Sequence, residues 1–484
     1  MKIRSLALAL VTASPLLALE FGPATAAENA PAATAALPAL ATEETDSRLR
    51  ELDERATALE ARLRAHEQEA SRAKKAAVGT AGEKGFALKS ADGAFAVKLR
   101  GLLHADGRQF IENEALRPNA TFVARRARPI LQATFFDVAD FRLMPDFGNG
   151  NAVVQDAYGD LRPFPWLKLR VGKFKPPVGL ERLQSTSAIV FTELALPTML
   201  VPNRDAGVQL HGDIAGGIVS YAAGVFNGVV DGSSGDLDNN FAKDVAGRVF
   251  VRPWKTQPAS LLSGLGLGFA ASSGNRRGKA AVLSTSGSTV TVTTASSPSL
   301  PSFKTAGQQK VFSYIVDDKN DATVLAEGRH TRLAPQACFY VGPFGLLGEY
   351  VRSTHSVLKG AESAKLDHSA WQVAATFLFG EGKNAYEGVQ VAHPVDRSLD
   401  KLGVLELALR YNELRIDEAA FPLYADPAKS IKVARGWAAA ANWHWSGNVK
   451  LGTTYEETYF EGGAAAGGDR ATERVLSGRL QMAF

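Results

Sequence analysis

Arginine and lysine recur in this chain at every second position of short apolar runs. Lys98 and Arg100 alternate with Val97, Leu99 and Gly101; Arg126 and Arg128 flank Ala127; Lys168 and Arg170 alternate with Leu167, Leu169 and Val171. Arg108, Arg142 and Arg248 sit in similar surroundings. A spacing of two places each set on one face of an extended strand. A guanidinium offers a planar fork of donors that fits carboxylate or phosphate oxygens, whereas lysine supplies a point charge. Rows of such groups on a wetted face bind anions while staying solvated. Asp106, Asp140, Asp146, Asp156, Asp160 and Asp205 occupy the same segments and leave a mixed-charge lining open as the alternative.

Catalytic chemistry finds little support. His104, His211, His330, His355, His368, His393 and His444 are scattered without metal-ligand spacing, and no G-x-S-x-G, P-loop or CxxC motif occurs. Cys338 is the single cysteine, so no intramolecular disulfide can form. No catalytic residue, metal or cofactor is therefore implied. Nucleic-acid binding is not expected either, because the basic residues alternate along strands instead of forming a basic, aromatic patch.

The elements that position these residues begin with the amino terminus. Lys2 and Arg4, the apolar run Leu6 to Leu19, and Ala24-Thr25-Ala26 have the form of a cleaved secretory leader, residues 1–26. The whole chain has 54 basic and 50 acidic residues; losing Lys2, Arg4 and Glu20 leaves 52 and 49, a balance that specifies no partner. Residues 27–45 are rich in Ala, Pro and Thr and read as a linker. Over 46–78, Leu49, Leu52, Ala56, Leu59, Leu63, His66, Ala70 and Ala73 form an alternating three–four seam, which predicts a short coiled coil.

From residue 85 onward the period becomes two. Beyond the leader no apolar run is long enough to span a membrane as a helix. Alternating segments fall near 94–110, 121–136, 138–147, 152–162, 166–174, 205–214, 217–227 and 241–252. Others fall near 260–273, 328–341, 344–355, 367–380, 402–416, 431–445, 448–460 and 473–484. Sixteen strands, an even number, predict an all-β protein: a closed antiparallel transmembrane barrel over 85–484 with a water-filled lumen. Short turns at Arg252-Pro253-Trp254, Gly342-Pro343-Phe344 and Trp445-Ser446-Gly447-Asn448 are expected on one rim. Long loops at 228–240, 274–327, 381–401 and 461–472 are expected on the other. Trp166, Trp254, Trp443, Trp445, Tyr455 and Tyr459 lie near strand ends, where interfacial aromatic belts belong. A propeller is disfavoured by the lack of a repeat every 40–50 residues or so.

The last strand ends on Phe484 with Leu476, Gly478, Leu480 and Met482 alternating behind it. It resembles the carboxy-terminal strand by which outer-membrane proteins are read by the barrel-assembly machinery. A wider resemblance covers 85–484. It rests on Phe122-Val123-Ala124-Arg125-Arg126-Ala127-Arg128, Gln155-Asp156-Ala157-Tyr158, and Val171-Gly172-Lys173-Phe174-Lys175-Pro176-Pro177-Val178-Gly179-Leu180-Glu181. Glu193-Leu194-Ala195-Leu196-Pro197, Gly224-Val225-Phe226-Asn227-Gly228, Gly342-Pro343-Phe344 and Glu349-Tyr350 follow in order. Together these resemble the phosphate-selective porin O and P family of trimeric outer-membrane channels.

The resemblance implies a homotrimer in outer-membrane lipid that passes inorganic anions such as phosphate or polyphosphate. It also implies that the apolar, proline-rich segment 175–204 folds inward as a constriction carrying Lys175, Arg182 and Arg204. Arg125 and Arg126 match the family's arginine pair on the second strand. The arginine that phosphate-specific members place after Lys-Leu-x-Gly on the first strand is Leu102 here, with Arg100 two residues earlier on the same face. That departure leaves a weakly selective general diffusion porin open. A structural envelope protein linked through its coiled coil is the third reading.

Overall fold

The computed structural model describes residues 40–111, 121–236, 242–286 and 289–484. The expected leader, and residues 27–39 of the expected linker, lie outside these. The chain divides into two units, Met1–Ala73 and Lys74–Phe484.

One long helix, α1 (Leu40–Lys75), occupies the described part of the first unit and runs just into the second. It takes in residues 40–45 of the expected linker, since no proline follows Pro38 before Pro118 to interrupt it. It stops short of 78 because β-branched Val78 and Gly79 disfavour helix, and Val78 opens a strand. Leu49, Leu52, Leu59 and Leu63 are about 60% exposed along one stripe (62, 60, 64 and 60%). The seam lies exposed on this one helix; a coiled coil needs a second helix packed against it.

The second unit opens with a hairpin, β1 (Val78–Gly82) and β2 (Gly85–Lys89). Then follow β3 (Phe95–Phe110), β4 (Thr121–Phe135), β5 (Ala139–Asp146), β6 (Val153–Phe164) and β7 (Leu167–Phe174). Next come β8 (Asp205–Ile214), β9 (Val219–Phe226), β10 (Asp244–Val251) and β11 (Leu265–Arg277). One long connection carries two small hairpins, β12 (Val282–Ser286) with β13 (Thr289–Thr294) and β14 (Ser302–Lys304) with β15 (Lys310–Ser313). The chain continues through β16 (Leu325–Val341), β17 (Phe344–Lys359) and β18 (Glu362–Phe379), then a minimal ladder of β19 (Gly382–Lys383) and β20 (Gln390–Val391). It ends with β21 (Val404–Arg415), β22 (Ile431–His444), β23 (Val449–Gly462) and β24 (Glu473–Ala483).

Sixteen of these strands, β3–β11, β16–β18 and β21–β24, pair antiparallel in sequence order. β24 returns to β3, with Leu480 opposite Ala105, and closes the sheet. They are the sixteen segments that alternation predicts. Closure gives the backbone donors and acceptors partners that lipid cannot provide. Along β21, Glu406, Arg410 and Asn412 are buried toward the lumen while Leu405, Leu407, Leu409 and Tyr411 are exposed outward. This inversion of a soluble protein's pattern marks a lipid-facing wall. Stacked pairs Phe164–Trp166 and Trp443–Trp445 stand at the short-turn rim.

One connection departs from the expected rim. β18 runs toward the short turns, so 380–403 must lie with them and not with the long loops. Hydropathy revealed its length, but only strand direction reveals its side. The 252–264 connection on the same rim is also longer than a tight turn and contains a 3-10 segment, Leu261–Gly264.

The lumen is partly filled. From the loop rim, Phe303, Val311, Phe312 and Tyr314 pack against Leu196, Leu200 and Val201 of segment 175–204, and against Val351, Leu366, Leu414 and Ala434 of the wall. Asp231, between β9 and β10, is held by the Arg332 Nε at 2.6 Å, Ser353 Oγ at 2.5 Å and His355 Nε2 at 3.0 Å. Arg332 holds one carboxylate oxygen, Ser353 and His355 hold the other, and His330 Nε2 lies 3.5 Å from the first, so the cluster ties this loop to β16 and β17.

The seam of closure is reinforced at the carboxy terminus. The Gly101 N–H donates to the Phe484 carbonyl at 3.0 Å, and the Phe484 N–H donates to the Gly101 carbonyl at 3.1 Å. β2 pairs with β3 beyond that point, Phe86 opposite Leu99, so the hairpin continues the line of β24. Phe86 meets Phe484 edge to face at 5.9 Å. A Cβ on Gly101 would stand 2.5 Å from the Phe484 ring. Gly101→Val is expected to lower the fraction of assembled barrel by displacing the Phe484 ring, and deletion of Phe484 to lower it by removing the ring and the paired backbone bonds. Heat-modifiable gel mobility of outer-membrane fractions checks it; wild-type levels in both variants would contradict the role of this contact.

Candidate functional site

Segment 175–204 crosses the lumen and is pinned at many points. Carboxylate Glu349 on β17 accepts the N–H of Leu180 at 2.6 Å and of Glu181 at 3.2 Å. Lys450 Nζ donates to the Ile189 carbonyl at 2.7 Å, Asn442 Nδ2 to Val190 at 2.9 Å, and Gln481 Nε2 to Ser187 at 3.0 Å. Arg410 Nη1 donates to the Glu193 carbonyl at 3.0 Å. The Glu193 side chain receives Arg125 at 2.7 and 3.0 Å and Arg108 at 3.2 Å. The apolar residues that made this segment unlike a solvated loop, Val178, Leu180, Leu196 and Leu200, are buried.

Two chambers remain open between this segment and the wall formed by β3–β10. The inner one, toward the short-turn rim, encloses about 540 Å³ and the outer one about 490 Å³. Arg128, Lys175 and Arg204, with Gln184 and Thr186, line both chambers and so stand where the two adjoin, a position called the neck below. The inner chamber is lined by seven basic residues (Arg100, Arg128, Arg142, Arg170, Lys175, Arg204, Arg248) against Asp156 and Asp213. The outer is lined by Arg125, Arg126, Arg128, Lys175, Arg182, Arg204 and Lys304 against Asp146, Glu181, Glu193 and Asp231. Basic groups are in excess in both.

The geometry sorts the arginines. Arg128 Nε donates to Asp146 at 2.7 Å and its Nη1 to Thr186 at 2.9 Å. Asp156 is shared by Arg142 at 3.1 Å and Arg204 at 3.2 Å, and Asp160 by Arg170 at 2.6 Å and His211 at 2.9 Å. Arg100, Lys175 and Arg248 face the inner chamber with no carboxylate at ion-pair distance among the described residues. Lys175 Nζ donates to the Gln184 carbonyl at 2.6 Å and Arg248 Nε to Gln336 at 2.9 Å. Arg182 is turned into the segment's own backbone, at the Thr198 carbonyl. Lys98 and Lys168 face inward nearer the rim, outside both chambers, and Lys168 pairs with Asp213 at 2.9 Å.

Strict parity cannot aim both Arg125 and Arg126 inward. A bulge resolves this: His104 pairs with Arg126 but Ala105 pairs with Ala124, so Arg125 is the extra residue. Arg126 then reaches His104 Nδ1 at 3.0 Å while Arg125 takes Glu193. Sequence reasoning missed Lys304, inside a Ser/Thr-rich connection, and Tyr386, inside the misassigned loop; neither carries a local pattern. Glu193 and Glu349 were visible as motif residues, but their use as anchors was not.

The family described as phosphate-selective porin O and P matches residues 97–484 of the chain. Among solved structures, the outer membrane channel DcaP of Acinetobacter baumannii aligns over 84% of this chain and 100% of its own, at 11% identity and a TM-score of 0.50. The anion-selective porin from Comamonas acidovorans aligns over 81% of this chain and 100% of its own, at 10% identity and a TM-score of 0.49. For the trimer form of OmpT from Vibrio cholerae, the figures are 81%, 100%, 11% and 0.47. At 11% identity the likeness to DcaP is one of fold. No curated protein sequence matches the chain significantly.

Burial pushes the Glu193 carboxyl up, but Arg125 beside it outweighs this and holds the group down to about 2, from an ordinary 4.5. A carboxyl depressed in the folded state contributes its stabilisation fully above the ordinary value, and loses it as pH falls toward the depressed one. The pinning of segment 175–204 should therefore hold from neutral pH to about 4.5 and fail on approach to about 2. Single-channel records are expected to be quiet over the first range and to flicker in the second, and Glu193→Gln to flicker already at neutral pH. A variant as quiet as the wild type would remove Glu193 from the anchoring.

Proposed function

The chain belongs to the phosphate-selective porin O and P family, and from that premise we propose an outer-membrane channel through which small hydrophilic anions diffuse passively. The observation that carries the preference for anions is the neck. Arg128, Lys175 and Arg204 line both chambers, so a solute crossing by this passage meets all three. Charge lining a narrow pore sets which ions enter and how fast they leave. Phosphate and polyphosphate fall within the class, and guanidinium forks at Arg100 and Arg128 suit their oxygens.

The shared carboxylates favour a second reading. Asp146, Asp156 and Asp160 each neutralise part of the arginine row, and Leu102 occupies the place of a family arginine. Both observations support a weakly selective diffusion pore. On either reading the long-loop rim is external by the usual barrel arrangement, and the helix with its leucine seam is periplasmic. The seam fits a homotrimeric coiled coil in which each copy supplies one helix. Insertion through the barrel-assembly machinery, after removal of residues 1–26, is part of the same proposal.

A planar-bilayer reversal potential under a KCl gradient tests it. The wild type should reverse on the chloride side, and Lys175→Glu combined with Arg204→Glu should move the reversal to the potassium side. A wild-type potential near zero, unmoved by the pair, would leave only the general diffusion pore.

A further inference from the structure

Resting on the anion reading, we propose that the inner chamber favours organic anions with an apolar body, aromatic carboxylates foremost, over inorganic phosphate. Lumen faces of channels are polar by rule. Here Leu102, Ile130 and Met144 face inward from the adjacent strands β3, β4 and β5, and all three line the inner chamber. Cross-strand register interleaves them with charge. Leu102 stands opposite Arg128, Ile130 opposite Arg100, and Met144 opposite Asp156. On the next strand Tyr158 stands opposite Arg142, and the Arg170 guanidinium lies 4.3 Å from its ring centre. The result is an apolar strip edged by cations.

The other side of the chamber matches it. Pro177 and Leu183 come from the crossing segment, and Tyr386 arrives from the 380–403 connection. That ring is fixed from both ends: Tyr386 Oη donates to the Leu180 carbonyl at 2.6 Å, and Gln184 Nε2 donates to the Tyr386 carbonyl at 2.9 Å. Arg100 supplies the anchor for a carboxylate. Its Nε is buried without a hydrogen-bond partner, and no acid neutralises it among the described residues. The apolar side chains of the outer chamber, Val153, Ile189, Leu194 and Met199, come from β6 and the crossing segment and are mixed with Asn149, Asn151, Gln155, Ser302 and Thr305, so they form no run across adjacent wall strands.

Inorganic phosphate has a use for the cations alone and leaves the apolar lining, the strip with Tyr158, Pro177, Leu183 and Tyr386, without a partner. Benzoate places its carboxylate on Arg100 and its ring between the strip and Tyr386, removing apolar surface from water on both partners. A cavity of about 540 Å³ accepts a body of that size and leaves room for accompanying water.

Half-blocking concentrations of benzoate, acetate and inorganic phosphate on the chloride current of the whole protein in planar bilayers decide the matter. Benzoate and acetate share a headgroup, so their ratio reads the apolar contact. Benzoate is expected to block at a concentration about tenfold below acetate, equivalent to about 1.4 kcal/mol, and below phosphate. Ile130→Gln with Met144→Gln should bring the benzoate-to-acetate ratio near one. Equal wild-type blocking by benzoate and acetate, or tighter blocking by phosphate, overturns the proposal whether or not the variant assembles. An anion-side reversal potential in the same membranes then leaves the channel reading standing, whereas a cation-side one overturns that reading as well.

Discussion

A strand-to-strand connection that enters a barrel lumen leaves the water that would otherwise satisfy its backbone, and it must find donors and acceptors on the wall. Segment 175–204 meets that constraint through Glu349, Asn442, Lys450, Gln481 and Arg410, side chains from five different strands. Everything distinctive about the passage follows. Because the segment is tied mainly to β17 and β21–β24, the opening lies against β3–β10. Because Lys175 and Arg204 flank it, its two ends supply two of the three cations at the neck. The inward loop buries Phe303 and Phe312 in the apolar cluster, while its Ser302, Lys304 and Thr305 border the outer chamber.

The charge arrangement balances two demands. Arginines packed together along a wall repel one another, and a bare row would cost assembly energy. Shared carboxylates relieve this: Asp156 serves both Arg142 and Arg204. Full neutralisation would abolish the preference for anions, yet Arg100, Lys175 and Arg248 have no carboxylate at ion-pair distance among the described residues. Burial, with Arg204 and Arg182 nearby, pushes the Lys175 ammonium well below the usual lysine range. An arriving anion reverses that pressure, so the neck gains charge stability when occupied.

Much of this was legible in the sequence, for a physical reason. A lipid-facing wall and a wet lumen impose a period of two on every strand, and β3, β21 and β24 show it plainly. Segment 175–204 was conspicuous because an apolar, proline-rich stretch has no business in bulk water. The failures share a cause as well. Arg125 points inward only through a bulge, which depends on pairing with β3 and leaves no mark on β4 itself. The side of 380–403 follows from cumulative strand direction, not from its composition. Phe303, Val311 and Phe312 are diluted in a connection that reads as polar, so its collapse into the lumen was invisible. The pattern of Leu102, Ile130 and Met144 also required the register, since only pairing places residues of three strands side by side.

If anions cross by way of the neck, a negatively charged reagent must reach it faster than a positively charged one of similar size. Thr186 lines both chambers and accepts a hydrogen bond from Arg128 at the neck, while the native Cys338 is buried elsewhere. Thr186→Cys can be reacted with two methanethiosulfonates of similar size, the anionic sulfonatoethyl and the cationic trimethylammonioethyl reagent, while the current is recorded. The account predicts that the anionic reagent reacts faster and that added salt narrows the difference. Equal rates, or faster reaction of the cation, would contradict it.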